Sequence, residues 1–264
     1  MNVLELMGVS IIYQNTKEAV KHVSFAVPEG KIVAIVGESG SGKSTLIRAA
    51  IGLLPAGGEL ASGQILFGEK DMAAMTAEEL RHVRGEGIAM IFQNAGDYLN
   101  PRRKVCDQYV ETLRCHQSMT KKQGYEIAKK MLATLKLPDT KHVMNAYPFQ
   151  LSGGMKQRVA IAMAMSMHPK LLLADEPTSA LDVTVQAQVV KQMMDLRDKM
   201  GTAIVIVTHN MGVASKMADY IAVMQNGELK EFGTREQVIY HPENDYTKKL
   251  LTVVPKLQGE TDGE

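Results

Sequence analysis

A short strand pattern at residues 31–36 runs directly into Gly37-Glu38-Ser39-Gly40-Ser41-Gly42-Lys43-Ser44-Thr45, and a helical pattern follows over 44–54. This junction constrains the fold more than any other part of the chain. Gly37 to Ser44 fits G-x-x-x-x-G-K-[ST], in the strand–loop–helix setting that gives the spacing its meaning. Glycines at 37, 40 and 42 let the backbone wrap closely and take turns closed to other residues. Successive N–H groups then point inward at phosphate oxygens, and the positive end of the following helix adds to them. Lys43 is placed to reach β- and γ-phosphates, and the Ser44 hydroxyl to ligate Mg²⁺. A glycine-rich turn that binds nothing would not explain the strand, the helix and the full motif together.

Leu171-Leu172-Leu173-Ala174-Asp175-Glu176 reads as an apolar strand ending in two carboxylates. A buried strand delivers its last side chains rigidly to the sheet edge. Asp175 fits a Mg²⁺ partner, and Glu176 the group that polarises an attacking water. Neighbouring strand residues face opposite ways, so the two carboxylates are expected to do different work.

The remaining chain organises around these points. Residues 3–12 and 20–27 read as an antiparallel pair, bounded by Gln14-Asn15 and Pro28-Glu29-Gly30. The helix at 44–54 is expected to end near Pro55 and Gly57-Gly58. Further strands are predicted at 63–67 and 88–92. From 96 to 168 helical patterns dominate, clearest at 109–116, 121–135 and 155–167. Strands return at 171–174, 202–207, 220–225 and 228–232. The expectation is an α/β core (1–95 and 169–240) with an antiparallel β part, interrupted by a helical subdomain (96–168). In the tail, 241–264, a short helix is expected at 246–251 and fraying at 256–264.

Composition narrows the function classes. The 264 residues suffice for one large domain with a subdomain. A net charge of +1 argues against nucleic acid and against electrostatic membrane binding. Apolar runs are of strand length, far short of the ~20 residues that span a bilayer. Glu5 in the first apolar stretch, with no basic leader, argues against a signal peptide. Cys106 and Cys115 fit no common zinc spacing and read as reduced thiols of a cytosolic protein. Among 18 methionines, Met155, Met163, Met165, Met167, Met193 and Met194 fall in helical stretches and read as packing residues rather than metal ligands.

Leu151-Ser152-Gly153-Gly154, continued by Gln157-Arg158, adds a second glycine-bearing segment. With it the chain resembles the ATP-binding-cassette (ABC) ATPases over nearly its whole length. Leu151 to Gly154 matches their signature motif, and Ser179-Ala180-Leu181-Asp182 their D-loop. Gln93 matches the Q-loop glutamine, His209 the switch histidine, and Tyr13 the aromatic residue under adenine. The resemblance implies a P-loop NTPase core that takes ATP and Mg²⁺. It implies that Tyr13 stacks on the base and that Gln93 joins Ser44 and Asp175 around the metal. Glu176, His209 and Gln93 would be catalytic. Ser152, Gly153 and Gly154 would face the γ-phosphate held by a second subunit, with Asp182 coupling the two sites.

Three classes of ABC protein compete: a transporter ATPase, a DNA-repair or chromosome ATPase, and a translation factor. Repair types split the cassette with a long coiled coil, whereas Ser152 follows Lys43 by only 109 positions, without a heptad run. Translation factors usually carry two cassettes in one chain. A module without catalysis would be expected to lose Glu176 or His209. The transporter class therefore fits, with the membrane segments on other chains. Leu99-Asn100-Pro101, Tyr147-Pro148-Phe149-Gln150, the run Thr178-Ser179-Ala180-Leu181-Asp182-Val183-Thr184-Val185-Gln186-Ala187-Gln188, and His241-Pro242 with Tyr246-Thr247-Lys248-Lys249-Leu250-Leu251 resemble the peptide and nickel importer ATPases. Asn94-Ala95-Gly96-Asp97-Tyr98 departs from that group's usual Asp-Pro-rich stretch. The lack of cysteines after Cys115, the short tail and Phe149 point to the nickel or metallophore branch. The group implies a second ATPase in a head-to-tail dimer, two transmembrane permeases and an extracytoplasmic binding protein. The chain would sit on the cytoplasmic side of the cell membrane through the permeases.

Overall fold

The structure is a computed structural model that describes residues 1–14, 17–179 and 181–252. The chain opens with an antiparallel pair, β1 (Asn2–Tyr13) and β2 (Lys17–Pro28). It enters a second sheet at β3 (Ile32–Val36), followed by α1 (Lys43–Ala50). β4 (Gly58–Phe67) and β5 (Lys70–Asp71) complete the first sheet, in the order β2-β1-β4-β5. After α2 (Ala77–His82) comes β6 (Ile88–Ile91). Four helices then follow without an intervening strand: α3 (Val105–His116), α4 (Lys121–Thr134), α5 (Thr140–Asn145) and α6 (Gly153–Met165). The chain returns through β7 (Leu171–Asp175), α7 (Val183–Met200), β8 (Ala203–Thr208), α8 (Met211–Met217), β9 (Tyr220–Gln225), β10 (Glu228–Thr234), α9 (Arg235–Tyr240) and α10 (Asp245–Thr252). The second sheet has the order β10-β9-β3-β8-β7-β6 and is parallel except at β10.

Every residue of β3, β7 and β8 is buried, because this sheet is covered on both faces. Ile32, Ala34 and Val36 pack with Leu172, Ala174, Ile204 and Ile206 on one face, in a core that continues into α3–α7. Val33 and Ile35 pack with Leu171, Leu173, Val205 and Val207 on the other, in a core shared with α1 and the antiparallel sheet. Alternate residues thus serve different cores, and the strands read as unbroken apolar runs. Met165, Met167 and Met193 are buried in the first core, and Met155, Met163 and Met194 pack against it, in keeping with their reading as packing residues.

Several boundaries differ from expectation. The helix predicted at 44–54 ends at Ala50, because Gly52 (φ +67°) turns the chain and its N–H donates to the Ala49 carbonyl. The strand predicted at 63–67 begins at Gly58, since β4 pairs with β1 from Tyr13↔Gly58 to Leu4↔Phe67. Polar residues on this half-exposed strand hide its first half from a hydrophobicity pattern. The helix predicted at 155–167 starts at Gly153 and ends at Met165. Helices α2, α5, α8 and α9, of six or seven residues each, are too short to show periodicity. The predicted helix at 246–251 is α10. Residues 256–264 lie outside the described residues. Among those described, no helix is long and apolar enough to cross a membrane.

Candidate nucleotide site

The loop between β3 and α1 is pressed between two other strands. A Cβ at Gly37 (φ +147°) would lie 2.0 Å from the Met224 carbonyl oxygen, and one at Gly42 (φ +95°) 2.4 Å from that of Ala19. Any side chain at either position would push the loop off its seat. Gly42 caps α1 without a side-chain hydrogen bond, which leaves the first-turn N–H groups for an anion. Lys43 is buried, and its ammonium donates to the carbonyls of Gly37 (2.8 Å) and Glu38 (2.6 Å) and to Ser41 Oγ (3.2 Å). Burial lowers its pKa, while Glu176, Asp175 and Glu38 oppose that shift. The loop's own acceptors thus hold this cation over the cradle.

Asp175, at the end of β7, is only 2% exposed. Its Oδ1 accepts from the Ser44 hydroxyl at 2.7 Å, and Arg48 Nη2 lies 3.7 Å from its Oδ2. Burial raises its pKa, while the Ser44 hydrogen bond and the Arg48 charge pull it down. Arg48 has no motif to announce it; its place on α1, one turn beyond Ser44, is the only signal in the sequence. Ser44 and Asp175 form a pair of hard oxygen donors beside the cradle. No group of three or more His, Cys, Asp or Glu residues suited to a metal occurs among the described residues. That donor set fits Mg²⁺, which is typically bound by one or two protein oxygens together with waters and substrate phosphates.

Glu176 corrects the strand-face argument. β7 ends at Asp175, and Glu176 has a left-handed φ of +45°. Its N–H donates to the Val207 carbonyl (3.0 Å), so a turn, not strand alternation, separates the two carboxylates. Its Oε2 lies 3.3 Å from Nδ1 of His209, which follows the end of β8 and is exposed.

A cavity of about 780 Å³ gathers these groups. Tyr13, Ser39, Gly40, Gly42, Lys43, Ser44, Thr45, Gln93, Glu176 and His209 all line it. Tyr13 closes β1, and its ring lies over Gly58, where a Cβ would be 2.7 Å from Cε1. Glu18, Lys21 and Asn226 also line the cavity and were not foreseen. Asn226-Gly227 forms the β9–β10 turn, both with positive φ, and the Gly227 N–H donates to the Ser41 carbonyl. An Asn-Gly pair between two strand patterns is a hairpin signal that marks this turn in the sequence.

Ser152, Gly153, Gly154 and Asp182 do not line that cavity. Ser152 caps α6 by accepting from the Met155 N–H, and Asp182 caps α7 by accepting from the Val185 N–H. The two helix starts touch: a Cβ on Gly154 would lie 2.7 Å from Val185 Cγ1, whereas one on Gly153 would meet nothing within 4 Å. Behind them, buried Gln157 donates from Nε2 to the Pro177 carbonyl at 2.7 Å, tying α6 to the segment that follows Glu176. Ala180 of the expected D-loop lies outside the described residues. A second cavity, of about 490 Å³, lies beside the 92–99 loop and is lined by Leu53, Arg84, Phe92, Tyr98, Leu99 and His116 among others.

Comparison with known proteins bears on the family and the fold. The family model described as ABC transporter matches residues 20–179. The dipeptide transport ATP-binding protein DppD of Bacillus subtilis (strain 168) is 43% identical over 246 residues, which cover 93% of this chain and 73% of the relative. The oligopeptide transport ATP-binding protein OppD of Haemophilus influenzae is 44% identical over 241 residues, covering 91% and 74%. The dimeric ATP-binding cassette MJ0796, in a post-hydrolysis state bound to ADP and Pi, aligns with a TM-score of 0.77 at 27% identity, over 88% of this chain and 98% of that one. With a family model across more than half of its length and relatives of this similarity along nine-tenths of it, the chain belongs to the ABC transporter family.

Proposed function

We propose that this chain is the ATP-hydrolysing subunit of an importer for short peptides, working in a head-to-tail pair beneath two permeases. The observation that carries the reading is the split of its motifs. One set lines a cavity built on the phosphate loop, and the other, at the joined starts of α6 and α7, lies outside that cavity. Such a half-site has a use when a second subunit presents its own nucleotide.

In this reading Tyr13 stacks on the base, and residues 37–45 hold the phosphates through backbone N–H groups and Lys43. Ser44, Asp175 and Gln93 would hold Mg²⁺, which supplies charge neutralisation at the phosphates. Glu176 orients the attacking water and takes up its proton, with His209 beside it at 3.3 Å. Phosphoryl transfer of this kind rests on positioning and electrostatics, which these residues provide. Ser152, Gly153 and Gly154 complete the partner's site, and Asp182 sets the start of α7 at the interface. Residues 1–95 and 169–240 act as the nucleotide-binding core and 96–168 as the signature-bearing subdomain. That subdomain carries closure to a permease through the cavity beside 92–99. An extracytoplasmic binding protein delivers the cargo, and the permeases hold the chain at the cytoplasmic face of the cell membrane.

The dipeptide and oligopeptide relatives support a peptide cargo. Neither relative is named for nickel, so the nickel or metallophore expectation has no comparable support. The test is ATPase activity of the chain reconstituted with its permeases and binding protein in proteoliposomes. Stimulation by di- or oligopeptides, and none by Ni²⁺ or its chelates, is the expected outcome; the reverse pattern overturns the peptide reading.

A further inference from the structure

The C-terminal helix reaches the phosphate loop. The backbone N–H of Glu38 donates to the Tyr246 hydroxyl at 3.2 Å, across 208 positions of sequence. Glu38 is held at both ends of its residue, because its carbonyl accepts from Lys43 Nζ (2.6 Å) and from the Ser41 N–H (3.3 Å). Its N–H is taken by the Tyr246 hydroxyl, and neither residue lines the cavity on the phosphate loop.

Tyr246 is itself fixed. Both Glu231 oxygens on β10 accept backbone N–H groups of the segment entering α10, Oε1 from Glu243 (2.9 Å) and Oε2 from Asn244 (3.3 Å). The Asn244 side chain accepts the Tyr246 N–H at 2.9 Å, and Thr247 next to it is fully buried. The tyrosine ring and Leu250 pack against the main core. A clamp on β10 thus aims one hydroxyl at one loop peptide.

We propose that Tyr246 is a positioning residue for nucleotide binding, holding the entry of the phosphate loop in its binding shape when Lys43 turns from the Gly37 and Glu38 carbonyls towards phosphate. This rests on the reading of residues 37–45 as the ATP site. A loop ordered before binding loses less entropy on binding, so the hydroxyl contributes to affinity rather than to the chemical step.

The test uses the full chain with ATP and compares Tyr246→Phe with wild type. The ring and its packing stay, and one hydrogen bond is lost. The expected result is an ATP Kd and KM raised about fivefold, in the range of one lost hydrogen bond, with kcat at saturating ATP and Tm unchanged. The Glu38 amide should exchange with solvent faster while core amides keep their protection. Glu231→Gln, which loosens the clamp without touching the loop, should shift affinity the same way by less. Unchanged ATP affinity in Tyr246→Phe overturns the proposal, as does a loss confined to kcat or matched by loss of core protection. Lys43→Ala is the separate control: if it leaves ATP binding intact, the ATP-site reading falls, whatever Tyr246→Phe does.

Discussion

Ser44 and Asp175 are 131 residues apart in the chain, yet the serine hydroxyl donates to Oδ1 of the aspartate at 2.7 Å. One oxygen comes from the first turn of α1 and the other from the end of β7, so the proposed metal site depends on how these two elements dock. Ser44→Ala should raise the Mg²⁺ concentration for half-maximal ATPase activity by about tenfold, equivalent to about 1.4 kcal/mol. A Mg²⁺ titration of the steady-state rate checks it, and an unshifted midpoint would remove Ser44 from the metal site.

Glu176→Gln keeps the size and the turn of the residue but removes the base. ATP binding should persist while hydrolysis slows by about a hundredfold, roughly 3 kcal/mol of barrier. Single-turnover hydrolysis measured beside nucleotide affinity separates the two effects, and near-normal turnover would count against the assigned role.

Two glycine-to-alanine changes should part folding from function. Gly42→Ala places a Cβ 2.4 Å from a backbone carbonyl at a left-handed φ, and should cost about 1–3 kcal/mol and abolish the rise in Tm on adding ATP. A Cβ on Gly153 would meet nothing within 4 Å among the described residues, and the residue is the first of α6, a position that alanine also accepts. The Tm of Gly153→Ala should hold, yet its ATPase rate should fall if this face covers a second subunit's phosphate. Thermal melts and ATPase rates on the same preparations check both.

Tyr109 gives an alkaline signature. It is fully buried and bonded to Ser166 Oγ at 2.5 Å; since Ser166 donates to the Ala162 carbonyl, the tyrosine is the donor. Burial pushes its pKa well above the usual tyrosine range. A raised folded pKa means that its contribution to stability is complete below the unfolded value, about 10, and is lost as pH rises beyond it towards the folded value. Tyr109→Phe should lose about 1 kcal/mol at neutral pH and show a shallower fall in Tm above about pH 10. Parallel slopes for the two proteins would show that Tyr109 does not contribute to alkaline unfolding.

The parts legible in the sequence are those in which local chemistry and tertiary role coincide. Residues 37–45 need glycine, lysine and serine for reasons internal to one loop. β3, β7 and β8 are buried on both faces, so their apolar runs stand out. Where a residue acts through a distant partner, the sequence is silent. Arg48 matters because Asp175 lies across from it, and Tyr246 because the Glu38 amide does. The Glu176 turn is hidden because its left-handed backbone is set by the Val207 carbonyl of the neighbouring strand, not by the residue type. The short helices α2 and α9 were findable, since Thr76 with Glu79 and Thr234 with Gln237 form capping boxes.

The buried amide of Gln157, bonded to the Pro177 carbonyl, makes a single rigid piece of two things with different owners. The start of α6 belongs, in the proposed assembly, to the neighbour's fuel, while the segment after Glu176 belongs to this chain's own. A displacement of α6 by the neighbour's nucleotide would then reach, through one hydrogen bond, the residue next to the proposed catalytic carboxylate Glu176. Under that arrangement hydrolysis in one chain is paced by its neighbour, and firing becomes a property of the completed pair.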